Sequence, residues 1–231
     1  WDEQKILSTG REGLDWVIEI YKDPAYIDTL KERMGKLYQE RKYTVVVLFP
    51  GVAERCLINR WKEMFRGLEM VQALDLDVNV FLRFRSMEHL EYEYTRCFKD
   101  LTESDPRFIL DHDNFLTQDL MAVSDLIITP NASLGINEAS AIDKAVLTFD
   151  YTNTATLYFD GFGNDFVMTA AEQVKRAFMG LKNSFGDFDC DWSRLKEFLN
   201  HHTDGRNCER LRDAVEGIAA SADIALSQEN A

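Results

Sequence analysis

Leu126-Ile-Ile-Thr-Pro-Asn-Ala-Ser-Leu-Gly-Ile-Asn-Glu-Ala-Ser-Ala-Ile-Asp-Lys-Ala-Val-Leu-Thr-Phe-Asp150 decides the fold of this chain. Leu126–Thr129 is an apolar run of strand character, and Pro130–Gly135 is a turn of small residues. Leu134–Ile142 has helical spacing and carries one carboxylate, Glu138, before a second apolar run at Ala145–Phe149. A buried strand, a small-residue turn and a helix in succession is how a parallel α/β sheet presents backbone N–H groups and a helix dipole to an anion. Asn131, Ala132, Ser133, Leu134 and Gly135 would line that cradle, and Glu138 lies one helical turn further on, where a carboxylate can accept from sugar hydroxyls. The plainer reading is that Asn131 or Ser133 only caps the helix and Glu138 only complements its dipole.

The same alternation extends toward the N-terminus. Thr44–Gly51 is too continuously apolar for an edge strand. Helical periodicity through Leu57, Trp61, Met64, Leu68 and Val71 follows, then a strand over Val78–Arg85, a helix over Leu90–Phe98, a short strand over Arg107–Asp111 and a helix over Phe115–Val123. Strands alternating with helices predict an α/β fold: a Rossmann-like parallel sheet of about five to six strands with helices on both faces. Residues 1–43 read as a helical preface broken at Asp23-Pro24, residues 44–220 as one Rossmann-like domain with C-terminal helices near Ala170–Leu181, Trp192–Leu199 and 205–220, and residues 221–231 as a frayed tail.

Sheets of this class bind ligands beyond the carboxyl ends of their strands. Four loops therefore matter: Pro50-Gly51, Arg83–Ser86, Asp111–Asn114 and Pro130–Gly135. Gly51 either lets a ligand or another domain approach closely or serves as a turn glycine. Arg83 and Arg85 share one face of their strand; a guanidinium fork suits a diphosphate, and it equally suits an acidic neighbour. Asp111-His112-Asp113 reads first as a solvated turn, since no further histidine or carboxylate is spaced to complete a metal site. His201-His202 has no identifiable partner.

Composition narrows the function. The 231 residues are 45% hydrophobic and 29% charged, with a net charge of −14. That balance argues against a nucleic-acid surface, which needs a basic face to displace counterions, and leaves room for a single nucleotide held by one or two local cations. Cys56, Cys97, Cys190 and Cys208 are far apart and read as reduced thiols. No apolar run approaches the ~18–20 residues of a transmembrane helix. Trp1 in place of an initiator Met reads as the mark of a processed chain or a piece of a longer one. GxGxxG, GxxxxGK[ST] and GxSxG are all missing, which argues against a dinucleotide fingerprint, a P-loop and an α/β-hydrolase elbow.

On the stretches Leu120–Ala139 and Asp143–Asp150, the chain resembles the C-terminal, donor-nucleotide-binding domain of GT-B-fold glycosyltransferases. That family shows a strand ending in Asp-hydrophobic-Ile-Thr, a small-residue turn with serine, a Glu-Ala pair, and a Gly-Lys-Pro-Val lead into the next strand; here the lead is Asp143-Lys144-Ala145-Val146. Thr203–Arg210 is similar to the closing helix of capsule and teichoic-acid transferases, including the CDP-glycerol glycerophosphotransferase type. The resemblance implies Ser133 and Gly135 at a diphosphate, Glu138 at the ribose, and Arg83 or Arg85 at the phosphates. It further implies a nucleotide-sugar or CDP-polyol donor, a glycan or lipid-linked acceptor in bacterial surface polysaccharide synthesis, and no resident cofactor or metal. The place implied is the cytoplasm, with a peripheral position at the inner membrane also open. The second-strand loop lacks the His-Pro pair of sialic-acid-type members, a departure that disfavours a CMP-sugar. The catalytic base of inverting members comes from the acceptor half, so no catalytic residue is assigned here. Two other readings stay open: an enzyme like UDP-N-acetylglucosamine 2-epimerase, which shares the fold, and a non-catalytic α/β interaction domain of a larger protein.

Overall fold

A computed structural model describes residues 14–35, 41–51, 57–84, 93–111, 115–130, 133–154, 159, 161–200 and 202–229. Two short helices come first, α1 (Asp15–Tyr21) and α2 (Pro24–Met34). The alternating part follows as β1 (Tyr43–Leu48), α3 (Ile58–Gln72), β2 (Val78–Arg83), α4 (Glu93–Ser104), β3 (Phe108–Asp111), α5 (Thr117–Val123), β4 (Leu126–Pro130), α6 (Leu134–Ala141) and β5 (Ala145–Phe149). A two-residue β6 (Val167–Met168), α7 (Ala171–Gly180), a 3-10 turn (Leu181–Asn183), α8 (Trp192–Leu199) and α9 (Asn207–Glu229) complete the chain.

The six strands lie in the order β3-β2-β1-β4-β5-β6, and every neighbouring pair is parallel. This is a doubly wound α/β sheet, as the alternating pattern predicts. The chain winds outward from β1 through β2 to β3, crosses back to β4, and winds outward again through β5. Side chains of β1, β4 and β5 are buried on both faces, which is why these strands read as continuous apolar runs rather than alternating ones. One face is covered by α3, α4 and α7; on the other, α5 and α6 pack with α1 and α2, and α8 lies on α6.

Local chemistry explains the preface. Asp23 caps α2 by accepting from Ala25 N–H at 2.9 Å, and Pro24 occupies the first turn, where its missing N–H costs nothing. Tyr21 and Tyr26 both donate to the buried Asp119 Oδ1 of α5, at 2.8 and 3.1 Å. The other oxygen, Oδ2, accepts from Leu116 N–H at the start of α5. Burial together with the bond to Asp119 pushes the Tyr21 hydroxyl pKa far up, so it stays a donor. The first and last described helices also meet: Asp15 of α1 accepts from the N–H groups of Asn207 and Cys208 and from Asn207 Nδ2, at 2.7–3.0 Å, and so caps α9. That last helix continues to Glu229, past position 220.

Beneath the carboxyl edge of the sheet lies a buried aromatic stack. Phe49, which follows β1, stacks on Phe84, which follows β2, with centroids 4.1 Å apart and planes 5° from parallel. Trp61 of α3 extends the stack at 5.5 Å from Phe49, and Tyr151 lies 5.0 Å beyond Trp61. Rings of this size, fully buried, each remove a large apolar area from water, and here they fix the level at which the loops after β1, β2 and β5 leave the sheet.

Candidate functional site

Winding outward in both directions from β1 and β4 leaves a crevice where these two strands part their connections, at their carboxyl ends; in open α/β sheets this is the ligand-binding position. The pairs Val47↔Ile128 and Leu48↔Arg83 put the ends of β4, β1 and β2 side by side. Gly51, Arg83 and the Ser133–Gly135 turn therefore lie along one edge of the sheet. Arg85, Asn131 and Ala132 fall outside the described residues, as do His112, Asp113 and His201.

Ser133 is the N-cap of α6: its backbone is extended, at φ −70° and ψ 143°, and its Oγ accepts from Gly135 N–H at 3.2 Å. The capping reading of Ser133 is therefore met in this structure, with the helix N-terminus aimed at the crevice. Gly135 is small for a packing reason. A Cβ there would come within 3.0 Å of Met121 Cε and 3.2 Å of Leu48 Cδ1, so the first turn of α6 lies directly on the end of β1. Leu134 points away and is 63% exposed. Glu138 is half-buried and accepts from Gln118 Nε2, in the first turn of α5, at 3.3 Å. Helical side chains lean toward the helix N-terminus, which directs this carboxylate to the carboxyl edge.

Arg83 donates from Nη1 to Asp111 Oδ2 at 2.5 Å, across the Arg83↔Asp111 register of β2 and β3. The two side chains are 15% and 1% exposed. Asp111 is thus the buried last residue of β3 rather than part of a solvated turn, and its Oδ1 has no hydrogen-bond partner among the described residues.

Pattern reading missed part of this edge. A cavity of about 550 Å³ opens at the start of α3, lined by Leu57, Ile58, Asn59, Arg60, Glu63 and Asn153. Arg60 donates to the Thr169 carbonyl at 2.5 Å and to Asn153 Oδ1. Asn153 has φ +63°, and its loop is shaped by the buried Asp150, whose Oδ1 accepts from Thr152 and Thr154 N–H at 2.9 and 3.2 Å. Glu63 accepts from Ala171 N–H at 3.0 Å, and that bond holds its carboxyl below the usual range. The signal was available: the strand-turn-helix logic applied to Leu126–Asp150 also applies to β1 and α3, where Arg60 sits in the first turn.

The Asp143 position answers the missing glycine of the Gly-Lys-Pro-Val lead. Asp143 has φ +60°, the left-handed conformation a glycine supplies freely. Its carboxylate is held by Lys22 at 3.0 Å and by Lys196. Asp and Asn are the non-glycine residues that tolerate this region best. Among the described residues no group of three His, Cys, Asp or Glu side chains could hold a metal ion, and no helix is long and apolar enough to cross a membrane.

No protein-family model and no curated protein sequence matches the chain. Solved structures do match. A putative UDP-N-acetylglucosamine 2-epimerase from Listeria monocytogenes aligns at TM-score 0.63 and 15% identity, over 94% of this chain and 54% of that one. The UDP-GlcNAc 2-epimerase from Neisseria meningitidis, bound to UDP-GlcNAc, aligns at TM-score 0.62 and 15% identity, over 94% of this chain and 57% of that one. The wall teichoic acid polymerase TagF aligns at TM-score 0.50 and 12% identity, over 96% of this chain and 54% of that one. At such identities the likeness is one of fold. The chain has the Rossmann-like fold of GT-B-type structures, consistent with their C-terminal domain, and spans about half the length of the structures it matches.

Proposed function

We propose that this chain is the donor-binding half of a GT-B-type glycosyltransferase that moves a sugar or polyol phosphate from an activated nucleotide to an acceptor. The observation that carries the reading is the meeting of β1 and β4 at the crevice, with the N-terminus of α6 resting on the end of β1 through Gly135. An N-terminus in that position offers N–H groups and a positive dipole end to a diphosphate. Glu138 supplies a carboxylate for ribose hydroxyls, with Gln118 steadying it. Among the described residues Arg83 and Arg60 are cations of this edge, Arg85 is expected to join them, and a cation there offsets the charge that grows on a departing nucleoside diphosphate.

The acceptor, a glycan or a lipid-linked chain in bacterial surface polysaccharide synthesis, would be held by a second half outside this sequence. A GT-B-type active site is the cleft between two such halves, so the isolated chain binds donor and turns over little. The place of action is the cytoplasm or the inner face of the membrane. The epimerase reading has one observation in its favour, the higher TM-scores of the two epimerase structures, which speak to fold.

Calorimetric titration with UDP, CDP, CMP and GDP tests the proposal. Binding at millimolar affinity or tighter to at least one, weakened tenfold or more in Glu138→Ala, supports it. A folded sample that binds none is an interaction domain instead.

A further inference from the structure

The opposite, amino edge of the sheet carries a second cavity, of about 610 Å³. It lies between α2, the segment leading into β1, the end of α5 and the start of β5, and it is lined by Lys31, Arg41, Lys42 and Lys144 together with Glu32 and Asp125. In a chain with net charge −14, four cations around one space is a local reversal of sign. Two of the acids nearby are already engaged. Asp77 pairs with Arg41 at 3.3 Å, and Asp125 Oδ2 accepts from Thr44 N–H at 2.8 Å. Lys42 lies over the Tyr43 ring, 5.1 Å from its centroid. Lys144 makes no side-chain hydrogen bond and no ion pair within 4.0 Å among the described residues. Burial lowers its pKa, Asp125 opposes that shift and the charge of Lys31, on the same cavity wall, adds to it.

We propose that this amino-edge cavity binds a compact multivalent anion of the phosphate class, held by Lys31, Lys42 and Lys144. The anion relieves the mutual repulsion of the lysines, and the half-buried setting of Lys144 screens that attraction less than open solvent would. The cavity size is that of a small-molecule site. Because it lies across the sheet from the crevice, its occupant is an effector rather than a substrate. The phosphate can come from a soluble ion or from an anionic lipid headgroup. The carboxyl ends of α2 and α5 also favour nearby cations, and the test separates that role from anion binding.

Thermal denaturation with 10 mM inorganic pyrophosphate, at ionic strength balanced with sodium chloride, addresses the soluble source; sedimentation with phosphatidylglycerol vesicles addresses the lipid source. For a site of about millimolar affinity, pyrophosphate raises Tm by roughly 3–5 °C. The shift, or the vesicle retention if the lipid is the source, is lost in Lys31→Met/Lys144→Met, which keeps both hydrocarbon stems. The exposed Lys42→Ala weakens it about threefold, and Lys99→Met, an exposed lysine of α4 outside both sites, leaves it unchanged. UDP and CDP titrations of the same variants report on the crevice separately, so failure at one edge is not failure at the other. Absence of response to both probes overturns the proposal, as does a response that the double substitution leaves undiminished, which places all of the binding elsewhere and leaves the lysines serving only the helix ends.

Discussion

Replacing Arg83 by Met tests how the carboxyl edge is held together. Asp111 has a side chain 1% exposed, one oxygen bonded to Arg83 Nη1 at 2.5 Å and the other without a partner among the described residues. Removing the guanidinium leaves a buried carboxylate with neither oxygen paired to a cation. Breaking a buried ion pair from one side costs about 3–5 kcal/mol. Arg83 is 15% exposed, so some water reaches the vacated space and the lower end, about 3 kcal/mol, is expected. In a chain of this size that lowers Tm by roughly 6–12 °C. The double variant Arg83→Met/Asp111→Leu removes both charges and should recover most of the loss, to within about 1 kcal/mol of the parent, because a buried pair exchanged for apolar groups is close to neutral. Thermal unfolding followed by circular dichroism measures all three. A single variant that loses less than about 2 °C, or a double variant no better than the single, would refute the reasoning and return Arg83 to the status of a solvated cation.

Three further perturbations bear on the frame around the site. Asp15→Ala removes the acceptor for three N–H groups at the start of α9; loss of such a cap costs about 1–2 kcal/mol, and hydrogen exchange should rise first in residues 207–210. Gly163→Ala should abolish stable folding in expression and circular dichroism, since φ is +105° and the new Cβ would stand 1.9 Å from the Asp189 carbonyl oxygen. Asp143→Gly removes left-handed strain of roughly 1 kcal/mol and two ion pairs of an exposed carboxylate, each worth about 0–1 kcal/mol, so the two nearly cancel at neutral pH. Burial raises the Asp143 pKa, and the bonds to Lys196 and Lys22 outweigh it to lower the value overall. A lowered carboxylate contributes stability above its unfolded value near 3.8 and loses it as pH falls through the folded one. The glycine variant should therefore gain on the parent in melts run from pH 7 down to about pH 3, and a constant difference across that range would contradict the assignment.

The fold was legible because its signals are local. Val45–Leu48, Leu126–Ile128 and Val146–Phe149 are buried on both faces, and a continuous apolar run of this length between helical stretches suits an interior parallel strand and little else. The two-residue β6 left no run to detect; it exists because Thr148 and Phe149 pair with Val167 and Met168. At the site, the turn into α6 and the cap at Ser133 were readable from residue type. The Arg83–Asp111 pair was not, since Asp111 becomes a partner only once β3 lies beside β2 in that register. The same holds for Arg60, whose bonds to Thr169 and Asn153 join segments more than 90 positions apart, and for the glycine-like conformation of Asp143, which no residue name announces.

Hydrogen-exchange mass spectrometry of the chain with and without saturating UDP or CDP tests the central claim most directly, because it reports both whether a nucleotide binds and where. Donor binding at the crevice predicts slowed exchange in peptides spanning 43–51 and 126–141, the ends of β1 and β4 with the first turns of α6, and no change in α9. Slowed exchange confined to other segments, or no change with either nucleotide in a folded sample, would contradict it.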